Sequence, residues 1–89
     1  MGLRQQFRFK YSSPADVQTF LRGLSNCAAV DDREVFFVFT PLDGAPFTFD
    51  CELTPAGLLS ERAGDYYCFL GLFLEGLTGA FGPVEVEDA

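Results

Sequence analysis

No histidine occurs anywhere in the 89 residues. That excludes Ser-His-Asp and Cys-His nucleophile pairs, the common zinc sites, and the side chain most used as a general base near neutral pH. Basic residues are scarce too. Six Lys and Arg stand against thirteen Asp and Glu, giving a formal net charge of −7. Nucleic-acid binding needs Lys and Arg to neutralise phosphates, and an anionic membrane surface asks for the same sign of charge. Neither partner is expected. Mimicry of DNA is disfavoured as well, because the acids are spread out between apolar stretches.

Cysteine appears three times, at 27, 51 and 68. The count is odd, the spacing wide, and no pair forms C-x-x-C. No disulfide framework, metal site or redox pair is expected. No secretory signal precedes these cysteines, so a reducing, cytoplasmic location is the expectation. No P-loop is present. Gly76-x-x-Gly79-x-x-Gly82 does not follow a strand and is not a dinucleotide fingerprint. No cofactor is expected. No apolar run reaches the roughly 20 residues that a bilayer span takes.

Apolar residues are plentiful: they make up 48% of the chain, and eleven are Phe. That is enough for one domain, residues 1–89, with a single modest core. Its centre is Tyr66–Phe81, where Glu75 is the sole charge in sixteen residues. Phe69, Leu72, Phe73, Gly76, Leu77, Ala80 and Phe81 recur at helical spacing, so the stretch reads as a helix with that stripe inward. Asp65 suits its N-cap and Gly82-Pro83 its stop. Gly71, Gly76 and Gly79 each cost about 1 kcal/mol against alanine in a helix, which points to a close neighbour. Tyr67, Leu70 and Leu74 lie further round the helix.

The remaining elements follow from spacing. Phe7, Phe9 and Tyr11 alternate with Arg8 and Lys10, so residues 6–11 form a half-buried strand. Ser13 caps a helix that starts at Pro14, with Val17, Phe20, Leu21 and Leu24 as its buried stripe. Residues 34–40 form a second strand, with Val35, Phe37 and Phe39 on one face and Phe36 and Val38 on the other. Asp43-Gly44 turns the chain into a third strand, 47–53, with Asp50 and Glu52 outward. Thr54–Gly64 is read as a short helix or a loop. Val84–Glu87 closes the chain as a strand.

The order β-α-β-β-α-β predicts an α+β, ferredoxin-like fold. Its four-stranded, mostly antiparallel sheet would run 4-1-3-2, with two helices on one face. In that order Arg8 and Lys10 lie between Asp50 and Glu52 on one side and Glu85 and Glu87 on the other. This is the one polar cluster that qualifies as a candidate site, and ordinary cross-strand pairing is the preferred reading of it. The groups Asp31/Asp32/Glu34 and Glu85/Glu87/Asp88 read as solvated loop and terminus. Phe36 and Val38 on an uncovered sheet face, with Tyr67, Leu70 and Leu74 on the helix, form the candidate interaction surface.

Function follows by exclusion. The expectation is a non-enzymatic interaction domain. It would bind a protein partner or itself as a homodimer, with a small acidic inhibitor or immunity-type protein as one concrete form. The alternative is a small-ligand sensing or regulatory domain.

Overall fold

Local chemistry sets the first helix. In the computed structural model, which describes residues 3–41 and 46–89, strand β1 (Leu3–Arg8) leads into α1 (Pro14–Arg22). Ser13 is extended at φ −145°, and its Oγ accepts the Ala15 N–H at 3.3 Å. Pro14 takes the first helical position, where its missing N–H costs nothing. Gly23 ends the helix by donating to the Thr19 carbonyl at 3.0 Å. Val17 and Leu21 are fully buried, with Phe20 and Leu24 packed at the margin.

The chain continues through β2 (Cys27–Val30), β3 (Phe36–Phe39), β4 (Phe47–Thr54), β5 (Gly57–Gly64), α2 (Tyr67–Phe81) and β6 (Glu85–Asp88). The strands form one six-stranded antiparallel sheet in the order β2-β3-β4-β5-β1-β6. This overturns the ferredoxin-like expectation. The class is α+β, but the sheet has six strands rather than four, and its order is not 4-1-3-2. Two of the expected neighbours are present: β3 pairs with β4, and β6 pairs with β1. The difference is β5, which inserts between β4 and β1. The turn expected at Asp43-Gly44 lies outside the described residues.

Both missed strands have a physical explanation. In β5, Leu58, Ser60 and Arg62 face the core and Leu59 and Glu61 face out. The period of two is there, but serine and arginine lie inside and a leucine outside, so polarity hides it. Gly57, which weakens a helix, is what the turn into β5 requires. Its φ is +148°, and a Cβ there would stand 2.1 Å from the Phe7 carbonyl oxygen. The Thr54 hydroxyl closes the same turn by accepting the Gly57 N–H at 3.2 Å. β2 is four small or β-branched residues, Cys-Ala-Ala-Val, with a register shift between Cys27 and Ala29. Nothing in so short a run alternates. The β2–β3 connection is held by Asp31, whose carboxylate accepts the N–H groups of Val35 and Phe36, each at 2.9 Å. The Phe36 hydrogen bond, before all else, holds that carboxyl below its ordinary value. β1 ends at Arg8, because β5 and β6 offer their last partners there, Gly57 and Glu85.

Both helices cover one face of the sheet. Phe7, Phe37, Phe39, Phe49, Cys51 and Leu58 meet Val17, Leu21, Phe69, Phe73 and Leu77 in a single core. Phe73 is its hub: the rings of Phe7, Phe20, Phe39, Phe49 and Phe69 have centroids 5.1–6.3 Å from its own. α2 is rotated from the expected phase. Its buried line runs Phe69, Phe73, Leu77, flanked by Leu70 and Leu74, while Leu72 is 66% exposed. Ala80 is exposed as well. The Phe20 ring fixes the rotation. It lies 3.1 Å from where a Cβ on Gly76 would stand, so α1 approaches α2 there. Gly71 and Gly79 have open space around them, and the close approach expected at all three glycines holds at Gly76. The N-cap of α2 is Tyr66, without a side-chain cap, rather than Asp65.

Candidate functional site

The face of the sheet opposite the helices is built by β3, β4, β5 and β1. Register places its side chains in two cross-strand rows. One runs Phe36, Glu52, Leu59, Gln6; the other runs Val38, Asp50, Glu61, Arg4. Apolar and acidic side chains therefore interleave. Asp50 and Glu61 are directly opposed across the β4–β5 pair, an arrangement that is ordinarily destabilising. Burial, and after it the charge of Glu61, pushes the Asp50 carboxyl above its ordinary value. Among the described residues the ion pairs are Arg8–Glu87 and Arg22–Glu34, so Asp50, Glu52 and Glu61 have no cationic partner there. A shallow pit of about 40 Å³ opens between Arg4, Phe36, Asp50, Glu52, Leu59 and Glu61. That is close to the volume of one water molecule or one ammonium group.

The structure redistributes the residues singled out from the sequence. Phe36, 41% exposed, and Val38, half-buried, do stand on the open face. Tyr67 is 68% exposed on α2, but Leu70 and Leu74 pack against the core. The polar cluster divides in two. Arg8 pairs with Glu87 and lies opposite Glu85, while Asp50 and Glu52 belong to β4, with β5 between them and β1. Lys10 is exposed beyond the end of β1. Leu59 and Glu61 complete the face. Sequence reasoning missed both because it assigned no strand to Thr54–Gly64.

Arg62 is the other residue that sequence reasoning missed. It is 4% exposed and points into the core from β5. Its guanidinium carbon lies 5.0 Å from the centroid of the Tyr66 ring, 5.4 Å from that of Phe7 and 6.0 Å from that of Phe49. Nη1 donates to the Ser60 hydroxyl at 3.2 Å, and Nη2 donates to the Gln5 side-chain oxygen. Gln5 passes the polarity on, its Nε2 donating to Asp88 on β6 at 3.3 Å. The guanidinium Nε has no partner. Three aromatic faces and one relayed carboxylate take the place of a direct counter-ion.

The three cysteines are free thiols in three environments. Cys51 is buried, and burial pushes its thiol far up; Cys27 is half-buried and also raised by burial; Cys68 is exposed on α2. A thiol-specific disulfide reagent is expected to modify Cys68 first and Cys27 more slowly, with Cys51 reacting after unfolding, since the thiolate is the nucleophile. Modification of Cys51 at the rate of Cys68 in the native protein would contradict this placement.

Two open clefts, of about 560 and 410 Å³, lie on either side of Lys10 and Phe81. Among the described residues no group of three or more His, Cys, Asp or Glu is arranged to hold a metal, and no helix is long and apolar enough to cross a membrane. Comparison with protein-family models, with curated proteins and with solved structures returns no match.

Proposed function

We propose that this chain is a non-enzymatic, cytoplasmic interaction domain that binds a protein partner through the open face of its sheet. The observation that carries the proposal is the face itself. Both helices cover the opposite side, and no other described element lies over Phe36, which is exposed, or over Val38 and Leu59, which are half-buried among the acids. Apolar residues grouped on an uncovered surface and rimmed by polar ones are typical of protein-binding sites. Free thiols in odd number support a reducing location. A small inhibitor of the immunity type is one form that such a domain takes.

Self-association is the second reading, and it draws on a different surface. The outer strip of α2 exposes Tyr67 and Leu72 beside open space at Gly71 and Gly79, with Glu75 its one charged residue.

Phe36→Glu tests the primary reading. The ring is outside the core, so the variant is expected to fold, with a stability change of about 0.5 kcal/mol or less, as for most surface substitutions. A partner captured from the native cell by the wild-type chain should be reconstituted with purified components and then fail to bind the variant. A partner that binds both equally removes the open face from the function. Sedimentation equilibrium on Leu72→Glu tests the strip on α2 separately.

A further inference from the structure

We propose that the partner docking on the open sheet face is cationic: an extended segment whose apolar side chains seat on Phe36, Val38 and Leu59 while Lys or Arg side chains meet Asp50, Glu52 and Glu61. The proposal rests on the interaction reading above and specifies the chemistry of the partner.

The alternation of the face sets this chemistry. Glu52 stands between Phe36 and Leu59 in one cross-strand row, and Val38, Asp50, Glu61 and Arg4 follow one another in the next. Only every second side chain of an extended segment faces the sheet, so a segment laid across the first row is complemented by apolar and basic side chains that alternate at positions i, i+2 and i+4. The opposed carboxylates of Asp50 and Glu61 repel each other in the free domain. A cation placed between them removes that repulsion, and the pit lined by Asp50, Glu52, Glu61, Phe36, Leu59 and, from β1, Arg4 has room for one ammonium group. Arg4 is opposite Glu61 in register yet makes no ion pair with it. The carboxylates are therefore open to a basic group supplied from outside. A second copy is a poor occupant, because it would bring the same three acids against these three. Nucleic acid is worse, bringing one negative charge per phosphate to a chain whose net charge is already −7. That net charge also steers a cationic partner toward the domain from a distance.

The test uses the full chain and three synthetic peptides of equal length with Ser at every second position; the positions between, which share one face when extended, alternate Lys and Leu in the first, Glu and Leu in the second, and Lys and Ser in the third. Binding is read by amide chemical-shift changes and by fluorescence anisotropy. The Lys-Leu peptide is expected to bind best and to shift Phe36, Val38, Asp50, Glu52, Leu59 and Glu61. The combined variant Asp50→Asn, Glu52→Gln, Glu61→Gln should weaken it about tenfold, as expected for three surface ion pairs. A control variant with the same change in net charge, Asp16→Asn, Asp65→Asn, Glu75→Gln, should bind within about twofold of wild type, because those acids lie on the helices or just before α2, and the helices cover the opposite side of the sheet. Equal weakening in both variants would reduce the effect to bulk charge and overturn the proposal. Binding of the Glu-Leu peptide to the same face as tightly as the Lys-Leu peptide would overturn the cationic partner while keeping the interaction reading. If no peptide shifts the face, and Phe36→Glu also leaves the purified partner's binding intact, both fall. The peptide comparison on the wild-type chain needs no variant to fold.

Discussion

Replacing Arg62 with alanine is expected to destabilise the domain by about 2–5 kcal/mol, whereas methionine at the same position should cost less than about 1 kcal/mol or stabilise. The two substitutions separate two roles of one side chain. Arg62 fills space between Phe7, Phe49 and Tyr66 and is 4% exposed. Alanine empties that space, and the surrounding rings relax only in part. Methionine keeps most of the volume and removes a guanidinium whose Nε is unpartnered. Burying a charge without a directly paired carboxylate is unfavourable, so its removal offsets the lost hydrogen bonds to Ser60 and Gln5. Gln5 is part-buried at the rim and can turn to water. Urea denaturation of the three proteins decides the matter. If methionine proves as damaging as alanine, the guanidinium itself holds β5, β1 and β6 together, through Ser60, Gln5 and Asp88.

Phe73→Ala is the second large effect. The ring is fully buried and surrounded by five other phenylalanines. The loss should be about 3–5 kcal/mol, made up of the transfer free energy of the ring and the cavity it leaves. Small domains have about 5–15 kcal/mol in total, so the variant should melt tens of degrees lower or be largely unfolded at 37 °C. Leu72→Ala, one residue away, should change stability by no more than about 0.5 kcal/mol, since Leu72 lies on the solvent side of α2. The pair reports the rotation of the helix directly. Comparable losses at 72 and 73 in thermal melts would mean that α2 buries the stripe expected from its sequence instead of the Phe69–Phe73–Leu77 line.

Leu72 shows why that rotation was not legible. α2 is apolar on nearly every side, so its hydrophobic pattern has a weak direction. The stripe containing Leu72 and Ala80 and the one containing Leu70 and Leu74 are almost equally greasy. Where helix 1 comes to lie decides between them, and contact between Phe20 and Gly76 is a fact of three dimensions. Of the five residues of the candidate surface, Phe36, Val38 and Tyr67 lie at the surface and Leu70 and Leu74 pack against the core. Phe36 and Val38 were identified from strand alternation alone, which is reliable wherever one face is buried. Leu70 and Leu74 were not, because their exposure depended on that rotation.

Local stereochemistry and short-range periodicity made several features of this chain readable without a structure. The Ser13–Pro14 helix start, the inward phenylalanines of β1, β3 and β4 and the pairing of β3 with β4 all follow from residues near one another or from simple alternation. Tertiary structure decided the rest. Arg62 and Ser60 face inward because neighbouring strands and rings receive them, and a lone segment with polar residues inside does not announce a strand. Once β5 is in place it separates Asp50 and Glu52 from Arg8, sets Glu61 opposite Asp50, and replaces the expected ion-pair ladder with a face on which Asp50, Glu52 and Glu61 make no ion pair among the described residues. Which charges meet is a property of strand order. Strand order is set by long-range pairing free energy, and no window of the sequence contains it.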